Sequence, residues 1–395
     1  MENSHIFSCR LGHTPALLAL KAETASERTA ACDEHVPNPT TNILDQNQTK
    51  TKLQAVMKPF ISYSFLAAVA ASGLAFGQTP VTAKTTPVGY VTESFKAGVF
   101  NLFGLTLQNS PVISGTFESA AGLVLTDTGA NFPSVLTADT QYILEIGSGP
   151  LQGAIQEIAS SSGDGITLIQ DISAQVPAGT TYSIRAAATI AEVFGATNSA
   201  GLLPGAASTA DVLWVPNGAG GFDQFYYAAA QPPFLTAGWR QIGQGNTDKA
   251  SVPLVYLDGM ILQRRGSTDL SLVVSGEVKK TATSVAISGT AGSGFNYLAS
   301  IFPVGSTLGN SGLEASVTKG NSTSADIIWI PNGTGGYNQY YYATAQPPFF
   351  TAGWKQVGGG NTDQAAAVIS SGLILQRRGA DAMVLITPPG SYSDL

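Results

Sequence analysis

The residues of this chain that could do chemistry are few, and most of them occur twice. Asp211 and Asp326, Asp248 and Asp363, the arginine pairs Arg264-Arg265 and Arg377-Arg378, and the aromatic sets Tyr226-Tyr227-Trp239 and Tyr341-Tyr342-Trp354 hold matching positions in a duplicated stretch. Paired carboxylates could serve a glycosidase, which needs one raised acid and one ionised partner set across a sugar. Exposed Trp and Tyr rings could stack on glycans or apolar partners. Retained arginines could hold an anion or a partner protein. The site candidates are therefore Trp239, Trp354, Tyr226, Tyr227, Tyr341, Tyr342, Arg265 and Arg378, all as binding residues, with no catalytic or metal-ligating residue.

Each candidate also has a structural reading. Asp211 and Asp326 can fix a turn before a strand, and Asp248 and Asp363 can close a Gly-Asn-Thr-Asp turn through their own side chains. Side chains alternate along a strand, so one tyrosine of each pair belongs to the core. Trp214 and Trp329 lie among aliphatic residues and read as core; Trp239 and Trp354 are either core or platform. Of each arginine pair, one faces solvent while the other pairs with a carboxylate or guards a strand edge. The Gly-x-Gly-Asn-Thr-Asp segments have neither the lysine of a phosphate loop nor the alternating acids of a calcium loop.

The duplicated stretch positions these groups. Ala210–Lys249 and Ala325–Gln364 agree at 27 of 40 positions without a gap, and each leads to the same exit, GMILQRRG and GLILQRRG. A role performed by both copies must survive in both. Asp223 is matched by Asn338 and Lys249 by Gln364, so neither charge is required by a shared role. Each copy reads as a strand, a Pro-Asn-Gly-x-Gly-Gly turn, an aromatic strand, a Gln-Pro-Pro-Phe break and a return strand. A segment of F-N-x-L type, F-N-L-F at Phe100–Phe103 and F-N-Y-L at Phe295–Leu298, precedes each copy. Gly89-Tyr90-Val91 and Gly276-Glu277-Val278 read as the two entry strands.

Between Pro111 and Gly195 the first copy carries extra short strands, with a hairpin turn at Ser162-Gly163-Asp164-Gly165. The expected fold is all-β, with two repeated β-sandwich-like units and a small inserted β-barrel or sandwich module. The first unit comprises 89–110 and 196–275, the insert 111–195, the second unit 276–390, and 391–395 is a tail.

Composition narrows the function. The chain has 395 residues, a formal charge of −7 and only 11% charged residues, with no basic cluster for nucleic-acid binding. Both cysteines (Cys9, Cys32) and all three histidines (His5, His13, His35) lie near the start. A lysine-bearing, then apolar run from Met57 ends in Ala75-Phe76-Gly77, the pattern of a signal peptide cleaved before Gln78. Residues 1–56 read as a disordered leader or a mis-assigned start, 57–77 as the signal peptide and 78–88 as a linker. The mature chain then has no Cys and no His, which excludes disulfides, imidazole or thiolate metal sites and serine or cysteine triads.

The signal peptide followed by TTPVGYVT, the segments YILEIGSGPLQG and YSIRAAATIAEVFG, the W-x-P-N-G-x-G-G-x-x-Q module and the ILQRRG exit resemble a family of exported proteins of unknown function from verrucomicrobial bacteria. The resemblance spans most of residues 80–390 and implies export and a β-rich fold. It supplies no functional residues. The expectation is a non-enzymatic structural or adhesive protein of the periplasm, outer surface or extracellular space, with no cofactor and with glycans or other surface proteins as partners. A carbohydrate-binding accessory protein and a carboxylate-dependent hydrolase are the alternatives. N-terminal sequencing of the exported product is expected to begin at Gln78, and a start before Met57 would refute the assignment of the leader.

Overall fold

The computed structural model describes residues 86–289, 294–392 and 395, all within one unit. The leader, the signal peptide and the first part of the linker lie outside them.

The fold is all-β, and the duplicated stretches form the same sheet twice. In the first unit the order is Gly238–Gln241, Phe222–Ala228, Val212–Pro216, Met260–Gln263, Phe100–Phe103, with every neighbour antiparallel. The second unit repeats it with Gly353–Gln356, Tyr337–Ala343, Ile327–Pro331, Gly372–Arg377 and Gly294–Ala299. Register is kept as well as order. Leu213 faces Phe225 where Ile328 faces Tyr340, and Leu262 faces Asn101 where Leu375 faces Asn296. The asparagines of the F-N-x-L segments use their amides alike, Asn101 Nδ2 donating to Leu262 O and Asn296 Nδ2 to Leu375 O, both at 3.3 Å.

Turn chemistry explains why these hairpins form. Asn217 Oδ1 accepts from the amides of Ala219 and Gly221, and Asn332 Oδ1 from those of Thr334 and Gly336. Gly218 and Gly220, like Gly333 and Gly335, take positive φ, where a side chain would be strained. The five-residue helix Ile190–Phe194 is closed by a capping box between Thr189 and Glu192. Its Ile190 and Phe194 enter the core of the repeat units rather than that of the insert.

The strand Leu270–Val278 pairs along its length with Val88–Phe95, Gly276 opposite Gly89. Gly276-Glu277-Val278 therefore ends the strand that pairs with the one carrying Gly89-Tyr90-Val91, and does not open the second unit. The entry strand of the second unit is Thr283–Ile287, paired with Ala382–Ile386.

The insert is a seven-strand antiparallel sheet, ordered Pro111–Phe117, Thr180–Ala186, Tyr142–Ile146, Ile155–Ser162, Gly165–Leu168, Val124–Thr126, Ser119–Ala121. Its first and last members are separated in sequence by Glu118 alone, so the sheet curls until its ends meet in one run of chain. The barrel has its own core, including Phe117, Leu144, Ile166 and Ile184. The expected turn is present, with Ser162 paired to Gly165 around Gly163 and Asp164.

The two repeat units share a single core, in which Leu213, Val215, Phe225 and Trp239 join Ile328, Ile330, Tyr340 and Trp354. Backbone meets backbone where they touch. Gly259 N donates to Tyr297 O at 3.0 Å, and Ala299 N to Leu257 O at 2.9 Å. A Cβ on Gly259 would lie 2.7 Å from Leu298 N; one on its repeat counterpart Gly372 would lie 3.3 Å from Leu102 Cγ. Each unit thus lays a glycine on the other's F-N-x-L strand, the reciprocal pattern of a two-fold interface.

A buried ionic group fastens the barrel to this body. Lys279 donates to Glu145 and, at 2.6 Å, to Thr281 Oγ1, while Arg185 lies 3.7 Å from Glu145 and 3.9 Å from Glu277. Glu145 and Arg185 come from the barrel, Glu277 and Lys279 from the passage between the units. Burial holds the Lys279 ammonium below the ordinary lysine value, against the pull of Glu145. Removing one member of such a pair strands the other. Lys279→Met is expected to cost about 3 kcal/mol or more in urea unfolding, and the double variant Glu145→Gln/Lys279→Met less than the sum of the singles. Additive losses would show that the pair is not coupled.

Candidate functional site

Retained charge goes into structure. Asp211, fully buried, accepts from Arg264, from Arg265 N at 2.6 Å, Leu203 N at 2.7 Å and Gly266 N at 3.1 Å. Asp326 does the same with Arg377 Nη1 at 2.5 Å, Arg378 N at 2.7 Å and Thr318 N at 2.8 Å. The guanidinium groups of Arg265 and Arg378 are also spent. Arg265 Nη1 donates to the carbonyls of Ala207 and Ala210, and Arg378 Nη1 to those of Ser322 and Ala325. Asp248, largely exposed, pairs with Arg240 at 3.3 Å. In the second unit Lys355 turns instead to Asn361 O at 2.9 Å and Thr351 Oγ1 at 3.2 Å.

Of the four tryptophans, Trp239 and Trp354 take the core alternative, whereas Trp214 and Trp329 leave the core the sequence assigned them. Trp239 and Trp354 are 0% and 2% exposed and belong to the shared core, which removes them as stacking platforms. Tyr227 and Tyr342 meet them edge-on at 5.5 and 5.3 Å, and Trp239 Nε1 donates to Gly195 O at 2.9 Å. Trp214 and Trp329, read from sequence as core, stand half-buried on the opposite face of each sheet. Trp214 lies between Phe100 and Phe222 at 6.0 and 6.1 Å; Trp329 lies between Phe295 and Tyr337, both at 6.3 Å. The physical reason is strand alternation: Leu213 and Val215 take the core side, so the residue between them cannot. Tyr226 and Tyr341 share the outer face with Trp214 and Trp329; Tyr226 is half-buried and Tyr341 buried.

The break at Gln-Pro-Pro-Phe shows a feature the sequence did not announce. Gln231 and Gln346 each close a tight turn, Gln231 N donating to Leu235 O at 2.8 Å and Gln346 N to Phe350 O at 2.9 Å. On these turns Phe234 is 85% exposed and Phe349 76%. Both units hold a bare phenyl ring out on a proline-stiffened tip.

The two-fold arrangement also makes one cleft twice. In each, the Pro-Asn-Gly-x-Gly-Gly turn of one unit leans over the F-N-x-L strand of the other. The cleft under the second unit's turn measures about 210 Å³ and is lined by Glu93, Phe100, Leu102, Tyr337, Ser370 and Ser371, among others. Its counterpart, under the turn Pro216–Phe222, measures about 390 Å³, because the barrel adds a wall including Ile143 and Ile155. Val285 stands there where Glu93 stands in the smaller cleft, since each faces the equivalent partner, Val384 or Leu272. Among the described residues, no group of three or more His, Cys, Asp or Glu is placed to hold a metal ion, and no helix is long and apolar enough to cross a membrane.

The geometry defines a duplicated all-β protein with an inserted barrel. No family model matches the chain, and neither a curated protein nor a solved structure matches it.

Burial lifts the Glu93 carboxyl from its ordinary 4.5 to about 7. With the folded value raised, the unfolded chain releases its proton first, so the stability contribution falls as pH climbs between those values and stays low above about 7. Glu93→Gln is therefore expected to melt above wild type at alkaline pH and with it below about 4.5. Melting curves that stay parallel across this range would show that Glu93 is not held protonated.

Proposed function

We propose that the chain is an exported, non-enzymatic adhesive β protein of the cell surface or periplasm, and that Phe234 and Phe349 are its contact points. The observation that carries this reading is their shared exposure, 85% and 76%, on turns that both units repeat. A single exposed apolar side chain is ordinary. Two identical phenyl tips on one rigid body form a bivalent apolar surface, which gains avidity without new contacts. The remaining retained groups support the same reading. Asp211, Asp326 and all four arginines of the exits are engaged by the fold, which takes one of the two retained carboxylate pairs away from the hydrolase reading and leaves it the exposed Asp248 and Asp363. The resemblance to exported proteins and the signal peptide support the compartment.

A carbohydrate-binding reading now rests on Trp214 and Trp329, whose rings lie half-buried between aromatic neighbours on the outer sheet faces. The two readings separate experimentally. Phe234→Ser/Phe349→Ser is expected to lose retention on a phenyl matrix and on washed cells of the producing bacterium, with its melting temperature unchanged. The single variants are expected to fall between it and wild type. Unaltered cell binding by the double variant, or a glycan-array signal lost in Trp214→Ala/Trp329→Ala, would overturn the adhesive assignment.

A further inference from the structure

The larger of the two related clefts is where the molecule departs from its own symmetry. Both are built from the same parts, a glycine turn of one unit and the first strands of the other, but only one takes a wall from the barrel, and its lining differs accordingly. Glu93 and Ser94 of the smaller cleft correspond to Val285 and Ala286 of the larger. Leu102 and Tyr337 correspond to Tyr297 and Phe222, whose rings meet edge-on at 4.8 Å. At these positions a carboxyl gives way to an aliphatic side chain and aromatic surface is added, while Glu157 and Asp258 join the lining from other segments.

We propose that this cleft binds an uncharged, ring-bearing apolar small molecule. Its volume of about 390 Å³ falls in the range of small-molecule sites, roughly 300–1,000 Å³. Phe222, Tyr297 and Phe295 present aromatic surface on the repeat-unit side, and Ile143, Ile155 and Val285, each 6% exposed or less, form the aliphatic floor. Glu157 and Asp258 are the acidic residues of its lining and no lysine or arginine joins them, so nothing there would compensate the desolvation of a phosphate, sulfate or carboxylate. Gln156, 8% exposed, lines the cavity and makes no side-chain hydrogen bond among the described residues, leaving an amide for one polar atom of the ligand. Phe295 and Met383, 42% and 41% exposed, stand at the rim.

The occupant is defined by this lining and is independent of the adhesive reading, since Phe234 and Phe349 do not contribute to it. The repeat supplies an internal control, because Phe100 holds in the smaller cleft the position that Phe295 holds in the larger.

The probe is N-phenyl-1-naphthylamine, a neutral aromatic amine whose fluorescence rises on leaving water, titrated into the full-length protein. One saturable site is expected, weakened about tenfold in Phe295→Ala, lost in Met383→Trp and unchanged in Phe100→Ala. Its sulfonated relative 8-anilino-1-naphthalenesulfonate is expected to bind at least about tenfold more weakly. Both cleft substitutions fall on rim residues, and an unchanged melting temperature distinguishes loss of the site from loss of the fold. Absence of a saturable site in wild type, equal losses in Phe100→Ala and Phe295→Ala, or equal affinity for the sulfonated dye would each overturn the proposal.

Discussion

Each repeat unit hangs on one buried carboxylate. Asp211 and Asp326 sit just before the first strand of their sheets, and each binds the backbone and guanidinium of the arginine pair that ends the exit strand. A bare carboxylate at that depth would cost several kcal/mol, and the one guanidinium that reaches it would not alone offset that. What repays it is completeness: one amide from a preceding loop, Leu203 or Thr318, and those of the arginine turn itself join the guanidinium, so both oxygens of the carboxylate are engaged. The second arginine then uses its own guanidinium to hold the loop carbonyls in front of the strand. The chemistry that suggested an acid catalyst is the fastening that sets the register of the sheet.

With register set, the outcome for the aromatic residues follows. Fixing Leu213 and Val215 toward the core sends Trp214 to the other face, and the same alternation in the neighbouring strand brings Tyr227 under Trp239. Both units obey this identically, and the core they share forces their F-N-x-L strands together. That approach is tolerated only because Gly104, Gly259 and Gly372 lack side chains: a Cβ on Gly104 would lie 2.2 Å from that of Ala299. The glycines make the body two-fold, and the clefts are duplicated as a consequence.

Much of this was legible in sequence because it is local. The duplication, the hairpins, the Asn-Gly turns, the inserted module and the all-β class all depend on residues within a few positions of each other, where turn and strand propensities speak directly. The sides of the sheets were not legible, and the tryptophans show why. Val212-Leu213-Trp214-Val215 is apolar throughout, as it must be when both faces are partly covered, so periodicity does not say which side is core. Trp239, left open between core and platform, follows Gly238 and precedes Arg240, a polar neighbour whose guanidinium folds back onto Thr236 O and Trp239 O and so leaves the indole to the core. The large cleft was invisible for a different reason. Its walls are drawn from residues as far apart as Ile143 and Met383, and long-range assembly leaves no spacing to read.

The insertion explains the remaining asymmetry. A duplicated protein with two equal clefts has no reason, from packing alone, to keep them different, since the shared core and the reciprocal glycines treat both units alike. The barrel interrupts the first unit after the strand Leu107–Gln108, which closes the small sheet beside Leu270–Val278. It returns to the body at Ala188, where that residue pairs with Leu254. Between these points it is fixed twice more, by Glu145 and Arg185 in the buried ionic group and by the bridge of Ala154 to Ser284 of the second unit. It is thus anchored on both units, astride one of the two clefts, with its own core left undisturbed. A module held in this way is a wall rather than an appendage, and the change from Glu93 and Ser94 to Val285 and Ala286 beneath it is what burial by that wall requires. The asymmetry is therefore coherent across covalent, packing and electrostatic levels, which marks the barrel-walled cleft as a built feature of the fold.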